Sequence, residues 1–215
     1  HLSNELRLLN WDGYPLKYLP RSFQPEKLVE LNMRCSRIEQ LWKGVMPLDK
    51  LKFIDLSYSR YLSKIPDFTT VPNLEKLVLE GCTSLLEVHP SIGVLRRLIC
   101  LNLNNSKHLK SLPSSICRLI CLKTLNLSGC SRIGKLPDNI GDMVCLEELH
   151  ADGIAIKQPP SSIAFLKNLQ ILSLRGCKGT ISGQPWSSLF LKCQEKVRIP
   201  WAWVWYYLLY QVYGP

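Results

Sequence analysis

The chain contains 215 residues, of which 46% are hydrophobic and 20% charged, and it carries a formal net charge of +10. This length suits one globular domain or one repeat array with a buried core, and the hydrophobic content excludes a disordered chain. No apolar run reaches the roughly 18 residues that a membrane-spanning helix needs. The chain begins with His1 rather than Met, so we expect any signal peptide to be absent or removed with an upstream region.

A nine-residue pattern, Leu-x-x-Leu-x-Leu-x-x followed by Cys or Ser, organises the chain. It begins at eight positions that are 22 to 24 residues apart, namely Leu6, Leu28, Leu51, Leu74, Leu98, Leu122, Leu146 and Leu169. The fourth and sixth residues alternate with polar ones, which predicts a half-buried strand. This template and this period are those of leucine-rich repeats. Because one repeat cannot bury its own leucines, the copies predict a stacked solenoid with a parallel sheet.

The residues after each predicted strand indicate how the chain returns to the next repeat. The ninth position is a Ser or Cys in six copies, and we expect its hydroxyl or thiol to turn inward towards backbone groups: Ser36, Ser59, Cys82, Ser106, Cys130 and Cys177. A proline that prevents a regular helix recurs at Pro20, Pro66, Pro113, Pro137 and Pro160. The predicted fold is an α/β repeat solenoid, a leucine-rich-repeat horseshoe. Its parallel sheet lines the concave side, and irregular, short 3-10 or helical returns line the convex side.

Three predictions concern side-chain direction. Trp11 occupies the inward sixth position of the first repeat, and Trp42 follows the core position Leu41, so both are expected to pack near the start of the solenoid. In the fourth repeat Leu77 and Leu79 are expected to point inward, and Lys76, Val78 and Glu80 outward.

The repeat pattern predicts an array of about eight repeats over residues 1–179. The seventh repeat is weak, because Ala151 stands at a core position and Pro159 where a leucine is usual, which predicts local loosening or a bend. Residues 180–215 lose the repeat phase and hold nine of the 19 aromatic residues. This aromatic tail is either a cap over the open end of the solenoid or an aberrant extension without selected structure. We favour the extension, because the alternation of Trp with Ala and Val resembles no cap that we can justify.

Several segments resemble one family. Residues 6–44, LRLLNWDGYPLKYLPRSFQPEKLVELNMRCSRIEQLWKG, resemble the opening of the leucine-rich-repeat region in plant intracellular disease-resistance proteins of the TIR–nucleotide-binding class. Residues 51–85, 112–116, 136–140 and 152–163 resemble the repeats that follow it. The resemblance implies a protein–protein recognition and autoinhibitory module of a plant intracellular immune receptor. Such a module senses pathogen effectors, directly or through a guarded host protein, and triggers defence signalling. The alternative is a non-immune intracellular scaffold that binds a protein partner.

The resemblance also implies features that lie outside this chain. Family members carry a TIR domain, which cleaves or senses NAD, and a nucleotide-binding domain. This chain has no G-x-x-x-x-G-K-(S/T) motif, so we expect no cofactor here and expect ADP or ATP only in the absent nucleotide-binding domain. The expected partners are a pathogen effector or guarded host protein and, within the parent protein, its nucleotide-binding domain. Neither nucleic acid nor a membrane span is expected. The many cysteines favour a reducing compartment, the cytoplasm or the nucleus.

Positions three, five, seven and eight of each repeat face the concave surface and are free of core packing; we call this surface the concave face. Its polar, mixed-sign composition favours a protein partner over nucleic acid. Arg34, Phe53 and Tyr58 are the preferred binding residues, because aromatic and Arg side chains dominate interface energies. The remaining candidates are Asp55, Lys76, Glu80, Asn102, Asn104, Asn126, Glu148, His150, Asp152 and Arg175.

The sequence does not predict an enzyme or a metal site. His150 stands between Glu148 and Asp152 on one strand face, which invites an acid–base interpretation. An open sheet, however, is expected to lack a cleft and a positioned nucleophile. The nine cysteines include no C-x-x-C pair and no zinc-ligand spacing to a histidine. The Lys and Arg residues are scattered, which indicates a solvated outer surface.

Overall fold

A computed structural model describes residues 3, 5–20, 22–42 and 46–177, together with the backbone of 180–181 and 184–185. Eight three-residue strands form one parallel sheet in chain order: β1 Leu8–Asn10, β2 Glu30–Asn32, β3 Phe53–Asp55, β4 Lys76–Val78, β5 Cys100–Asn102, β6 Thr124–Asn126, β7 Glu148–His150 and β8 Ile171–Ser173. The predicted solenoid with its parallel sheet is confirmed. Two further strands, β9 Thr180–Ile181 and β10 Gln184–Pro185, pair antiparallel. The predictions for the rest of 180–215 lie outside the described residues.

The core consists of leucine ladders that run through the stack. The middle residue of each strand is in register with the middle residue of the next, as in the series Leu77, Leu101, Leu125 and Leu149. These four side chains are at most 1% exposed. Hydrogen bonds continue the ladder beyond the strands, for example from the Leu103 amide to the Asn126 carbonyl at 2.8 Å. Each leucine is therefore covered by the repeats on both of its sides.

The return segments contain short 3-10 helices only in the second half of the described array. These are η1 Pro90–Val94, η2 Ser114–Arg118, η3 Ile140–Asp142 and η4 Ser161–Phe165. Pro113 and Pro160 cap η2 and η4 with extended backbone (φ −68° and −64°), and Pro90 lies in the first turn of η1. Proline thus sets where each of these three helices begins, because its fixed φ is compatible with the first turn and not with a longer helix upstream.

In five of the described repeats, the Ser or Cys at the ninth position donates a hydrogen bond to the preceding repeat. The hydroxyls of Ser59 and Ser106 reach the carbonyls of Met33 and Leu79 at 3.1 and 2.9 Å. The thiols do the same, for example Cys82 to the Leu56 carbonyl at 3.3 Å. Each accepting carbonyl belongs to the sixth position, so these bonds satisfy backbone groups where the chain leaves the sheet. Burial raises the pKa of Cys82 to about 12, so this thiol remains protonated and structural.

Replacing Ser106 tests this ladder of inter-repeat bonds. Ser106→Ala is expected to lower the free energy of unfolding by about 1 kcal/mol, because the buried Leu79 carbonyl loses its side-chain donor. Ser106→Cys is the matched control and is expected to change it by less than about 0.5 kcal/mol, since Cys82 and Cys130 make the same bond in neighbouring repeats. Urea unfolding followed by circular dichroism measures both variants. Equal losses for Ala and Cys would contradict a role for the donor.

The eighth residue of every repeat has a left-handed backbone, with φ between 55° and 73°. Five of these residues are glycines and three are not: Cys35, Tyr58 and Asn105. Left-handed backbone costs an L residue other than Gly about 1–2 kcal/mol. A bulky aromatic residue is the least expected of the three at this position, and Tyr58 is therefore a strained residue.

One of the predicted side-chain directions is wrong, and one residue of the outward face is unexpectedly buried. Trp11 is 46% exposed instead of packed inward, and its ring meets Tyr14 edge to face at 4.9 Å. The reason is that no described repeat lies on the outer side of β1, so this position is covered from one side only. Val78 is buried although it lies on the outward face, because its short side chain sits in register between Asp55 and Asn102. Trp42 is buried as predicted, with its ring edge-on to Phe68.

Candidate functional site

Four of the predicted binding residues form two polar pairs on the concave face, Tyr58 with Glu80 and Arg34 with Asp55, and the charge of Arg34 acts on Tyr58. We call these four residues the Tyr58 cluster. The Tyr58 hydroxyl donates to Glu80 Oε1 at 2.7 Å, and Arg34 Nε lies 3.9 Å from Asp55 Oδ2. The pKa of Tyr58 is raised, first by this hydrogen bond to Glu80 and then by the negative charge of Glu80. The cluster therefore joins strands β2, β3 and β4 through polar contacts that remain open to solvent at Arg34 and Tyr58.

The backbone around Tyr58 explains how its ring is held. Its amide donates to the Glu80 carbonyl at 2.6 Å, so the residue is bound to the next repeat at both ends. The ring lies over Gly81, where an added methyl group would come within 2.6 Å of Tyr58 Cδ1. Position 81 therefore needs a glycine for two reasons: a side chain there would collide with the Tyr58 ring, and the backbone is left-handed. The aromatic side chain is fixed in place and still 42% exposed.

Other predicted residues extend the cluster along the sheet. Asn102 and Asn104 both donate to the Glu80 carboxylate, at 3.3 and 3.4 Å. On the other side, Lys76 Nζ lies 5.3 Å from the centre of the Phe53 ring, a distance compatible with a cation–π contact. Sequence reasoning placed these residues on one face, and the structure brings Asn102 and Asn104 into contact with Glu80 and Lys76 close to the Phe53 ring.

Side-chain oxygens at the fifth position of the repeats mostly accept hydrogen bonds from backbone amides. The side-chain oxygens of Asp55, Asn102 and Asn126 each accept the amide of the residue two positions later, at 2.8 to 3.0 Å. Such local bonds fix the chain as it leaves each strand. These three side chains are consequently less available to a partner than Arg34, Tyr58 or Lys76.

The remaining candidates form a second group at β7 and β8. His150 Nε2 lies 3.2 Å from Glu148 Oε2. Asp152 Oδ1 accepts the Arg175 amide at 2.7 Å and the Ser173 hydroxyl at 2.6 Å. Asp152 Oδ1 therefore forms these hydrogen bonds with residues of the next repeat and not with His150. Among the described residues, no nucleophile is hydrogen-bonded to the side chains of the His150–Glu148 pair. The arrangement is a polar patch on an open sheet.

Exposed apolar residues on and beside the concave face escaped the sequence analysis. Leu8 and Ile171, at the third positions of the first and last described repeats, are 50% and 43% exposed, and Trp11, three residues after Leu8, is exposed as well. A return-side cavity of about 310 Å³ between Gln40 and His89 also escaped it. For Leu8, Trp11 and Ile171 the only sequence signal was their position in the first and last described repeats, where the neighbouring layer on one side is not part of the described array. No sequence signal marked the cavity, which is lined by residues of the second to fourth repeats.

The described residues contain neither a metal site nor a membrane-spanning helix. Within the described ranges, no group of three or more His, Cys, Asp or Glu side chains is arranged to hold a metal ion. In that same part of the chain, no helix has both the length and the apolar composition to cross a membrane.

Comparison with known proteins places the array in a family. The family model described as "Leucine-rich repeat region" matches residues 58–184, and "Leucine Rich Repeat" matches 27–46. Disease resistance protein RPP2A of Arabidopsis thaliana is 46% identical over 177 residues, which are 82% of this chain and 13% of that protein. Disease resistance protein RPV1 of Vitis rotundifolia is 56% identical over 95 residues, 44% of this chain and 7% of that protein. The chain thus spans only a small part of these relatives.

Solved structures agree on the fold. An internalin C2 from Listeria monocytogenes aligns with a TM-score of 0.62 at 18% identity, covering 84% of this chain and 76% of that one. The leucine-rich repeat domain of the type III effector XopL aligns with a TM-score of 0.58 at 23% identity, covering 81% and 70%. The chain therefore belongs to the leucine-rich-repeat family, and it is a repeat region of the kind found in plant disease-resistance proteins, as its sequence resemblance predicted.

Proposed function

We propose that this array is the partner-recognition region of a plant intracellular immune receptor, and that the concave face around Tyr58 contacts a pathogen effector or a guarded host protein. In the absence of that partner, the array contacts the nucleotide-binding domain of the parent protein and keeps the receptor inactive. ADP or ATP binds in that domain and not in this chain. The receptor acts in the cytoplasm or the nucleus.

The observation that carries the proposal is the strained backbone of Tyr58. Glycine occupies the same left-handed position in five of the eight repeats, at no steric cost. A tyrosine there is a stability cost that the fold does not require. Its exposed ring, next to Arg34 and fixed by Glu80, has the chemistry of an interface hot spot. The names of the relatives, which are disease resistance proteins, supply the immune setting.

The test uses the intact receptor gene expressed in its plant. Tyr58→Gly is expected to reduce the pathogen-triggered defence response at least about tenfold, because a hot-spot side chain contributes 2 kcal/mol or more to binding. Protein accumulation is expected to be unchanged, since glycine relieves the left-handed strain while the ring contact and the bond to Glu80 are lost. Tyr61→Gly is the matched control, because Tyr61 is a more exposed tyrosine (59%) outside the concave face. An unchanged response in Tyr58→Gly would contradict recognition by this face and favour a scaffold role.

A further inference from the structure

Two cysteines occupy the same place in neighbouring repeats. Cys121 and Cys145 are each the third residue of the tight turn that leads into a strand, β6 and β7 respectively. The turns are closed by equivalent hydrogen bonds, from the Leu122 amide to the Leu119 carbonyl and from the Leu146 amide to the Met143 carbonyl, both at 3.0 Å. Their backbones therefore have the same local geometry, displaced by one repeat.

The two turns are held side by side. Two residues after the cysteines, the Glu147 amide donates to the Lys123 carbonyl at 2.8 Å, and Lys123 Nζ pairs with Glu147 Oε1 at 2.8 Å. Neighbouring strands lie about 4.8 Å apart. In-register turns directly before such strands bring the Cα atoms into the range of roughly 4.4–6.8 Å that a disulfide spans.

The direction of the side chain at this turn position is visible in other repeats. Asn168 Nδ2 donates to the Val144 carbonyl at 2.7 Å, and Asn73 Nδ2 donates to the Asp49 carbonyl at 2.7 Å. Both asparagines thus reach back to the turn of the preceding repeat. Cys145 stands at the equivalent position, so we expect its side chain to face the turn that contains Ile120 and Cys121. Cys145 is half-buried and Cys121 is exposed, which leaves Cys121 free to rotate towards it.

The other cysteines in the described array do not offer such a pair. Burial raises the pKa of Cys117 to about 11 and that of Cys130 to about 12, so both thiols resist deprotonation. Cys35 is exposed, but the residues at its position in the adjacent repeats are Gly13 and Tyr58. Within the described residues, accessible thiols at the same position of adjacent repeats occur only at Cys121 and Cys145.

We propose that Cys121 and Cys145 are a redox-active dithiol that forms a disulfide across the sixth and seventh repeats, with a small-molecule disulfide such as oxidised glutathione as the oxidant. The Cys121 thiolate attacks one glutathione sulfur and releases a glutathione thiolate, which leaves a mixed disulfide. The Cys145 thiolate then attacks the Cys121 sulfur and displaces the second glutathione. The protein loses two electrons and two protons, and one glutathione disulfide becomes two glutathione thiols. This site is independent of the proposed function.

The disulfide would link the seventh repeat, which the sequence predicts to be loosely packed, to the sixth. The seventh repeat has Ala151 at its sixth position, where most repeats have leucine, and so offers less apolar volume to the core. A covalent link closing residues 121–145 restricts opening between these two repeats. Oxidation is therefore expected to raise the melting temperature of the wild-type chain and to leave that of Cys145→Ser unchanged.

Peptide mapping tests the link in the full chain carrying Cys193→Ser, which removes the thiol of the tail. After oxidation with glutathione disulfide and trypsin digestion without reductant, peptides 119–123 and 136–157 are expected to be joined, with the loss of two hydrogens. Cys121→Ser or Cys145→Ser is expected to abolish the linked species. Cys35→Ser is the matched control and is expected to retain it. Two separate glutathione adducts without a link would overturn the proposal.

A trivalent arsenical resin gives a second measurement that needs no oxidant. An arsenical binds two neighbouring thiols and releases water, so the reduced chain is expected to be retained and to elute with a small dithiol. Retention is expected to fall at least tenfold in Cys121→Ser and in Cys145→Ser, and to persist in Cys35→Ser. Equal retention of all three variants would show that these two thiols are not the pair and would overturn the proposal.

Discussion

Gly141→Ala is expected to lower the free energy of unfolding by about 2–3 kcal/mol, the upper part of the range of roughly 1–3 kcal/mol found for overpacking a tight contact. Gly141 lies in η3, where a Cβ atom would come within 2.3 Å of the Ser162 carbonyl oxygen and 2.9 Å of Phe165 Cβ. The first of these atoms is backbone and cannot rotate away. The substitution must therefore separate η3 from η4, although alanine is the better helix former.

Gly134→Ala is the matched control for this prediction. No atom lies within 4 Å of the Cβ that would be added at Gly134, and its backbone is not left-handed. We expect a change of at most about 1 kcal/mol, in the stabilising direction, because alanine restricts the unfolded chain. Urea unfolding of both variants under the same conditions decides the matter. Equal effects of the two substitutions would show that the contact between η3 and η4 is not tight in solution.

The same contact recurs elsewhere in the stack. At Gly93 in η1, an added Cβ would lie 2.6 Å from the Ser115 carbonyl oxygen. The equivalent residues of η2 and η4 are Cys117 and Ala164, which are also small. The sequence shows small residues at this position, but only the spacing of the helices reveals which of them must be glycine.

The repeat period was enough to predict the sheet, because strand position depends on a leucine spacing that every copy shares. The alternation around the fourth and sixth residues predicted a strand in every copy, and the observed strands occupy the third to fifth residues of each repeat. The Cys or Ser at the ninth position predicted the inward bonds seen for Ser59 and Cys82. Both features follow from the residue type and its position alone. The exposure of Trp11 did not follow, since it depends on which neighbouring layers surround the residue.

The sequence predicted which residues of the candidate site share one face of the sheet, but it did not predict the contacts between their side chains. Position in the repeat identified Tyr58 and Glu80 as residues of the concave face. Their hydrogen bond depends on the left-handed backbone of Tyr58, which the sequence analysis did not anticipate because glycine usually marks that conformation. Likewise, Asn102 was predicted as a candidate binding residue, and the sequence did not show that its side-chain oxygen accepts a backbone amide. Side-chain contacts of this kind depend on rotamers that a period does not specify.

Leu125→Ala is expected to have the largest effect of any substitution considered, a loss of about 3–4 kcal/mol in the free energy of unfolding. Leu125 is fully buried in β6, in register with Leu101 on one side and Leu149 on the other. Truncation removes contacts to both neighbours, and the rigid leucine ladder cannot close the cavity that remains. Because each repeat is stabilised mainly by its neighbours, this loss also weakens the coupling between the two halves of the array.

Leu172→Ala is the control, since Leu172 holds the same repeat position in β8 but is only partly buried. Its ladder contact within the described array is to Leu149 alone, so we expect about half the loss seen for Leu125→Ala. Urea unfolding gives the free energies, and hydrogen exchange shows where the chain opens first. In Leu125→Ala, the amides of β5 to β7 are expected to lose protection ahead of those of β2 and β3. A loss in Leu172→Ala equal to that in Leu125→Ala would mean that burial from both sides does not determine the stability of the stack.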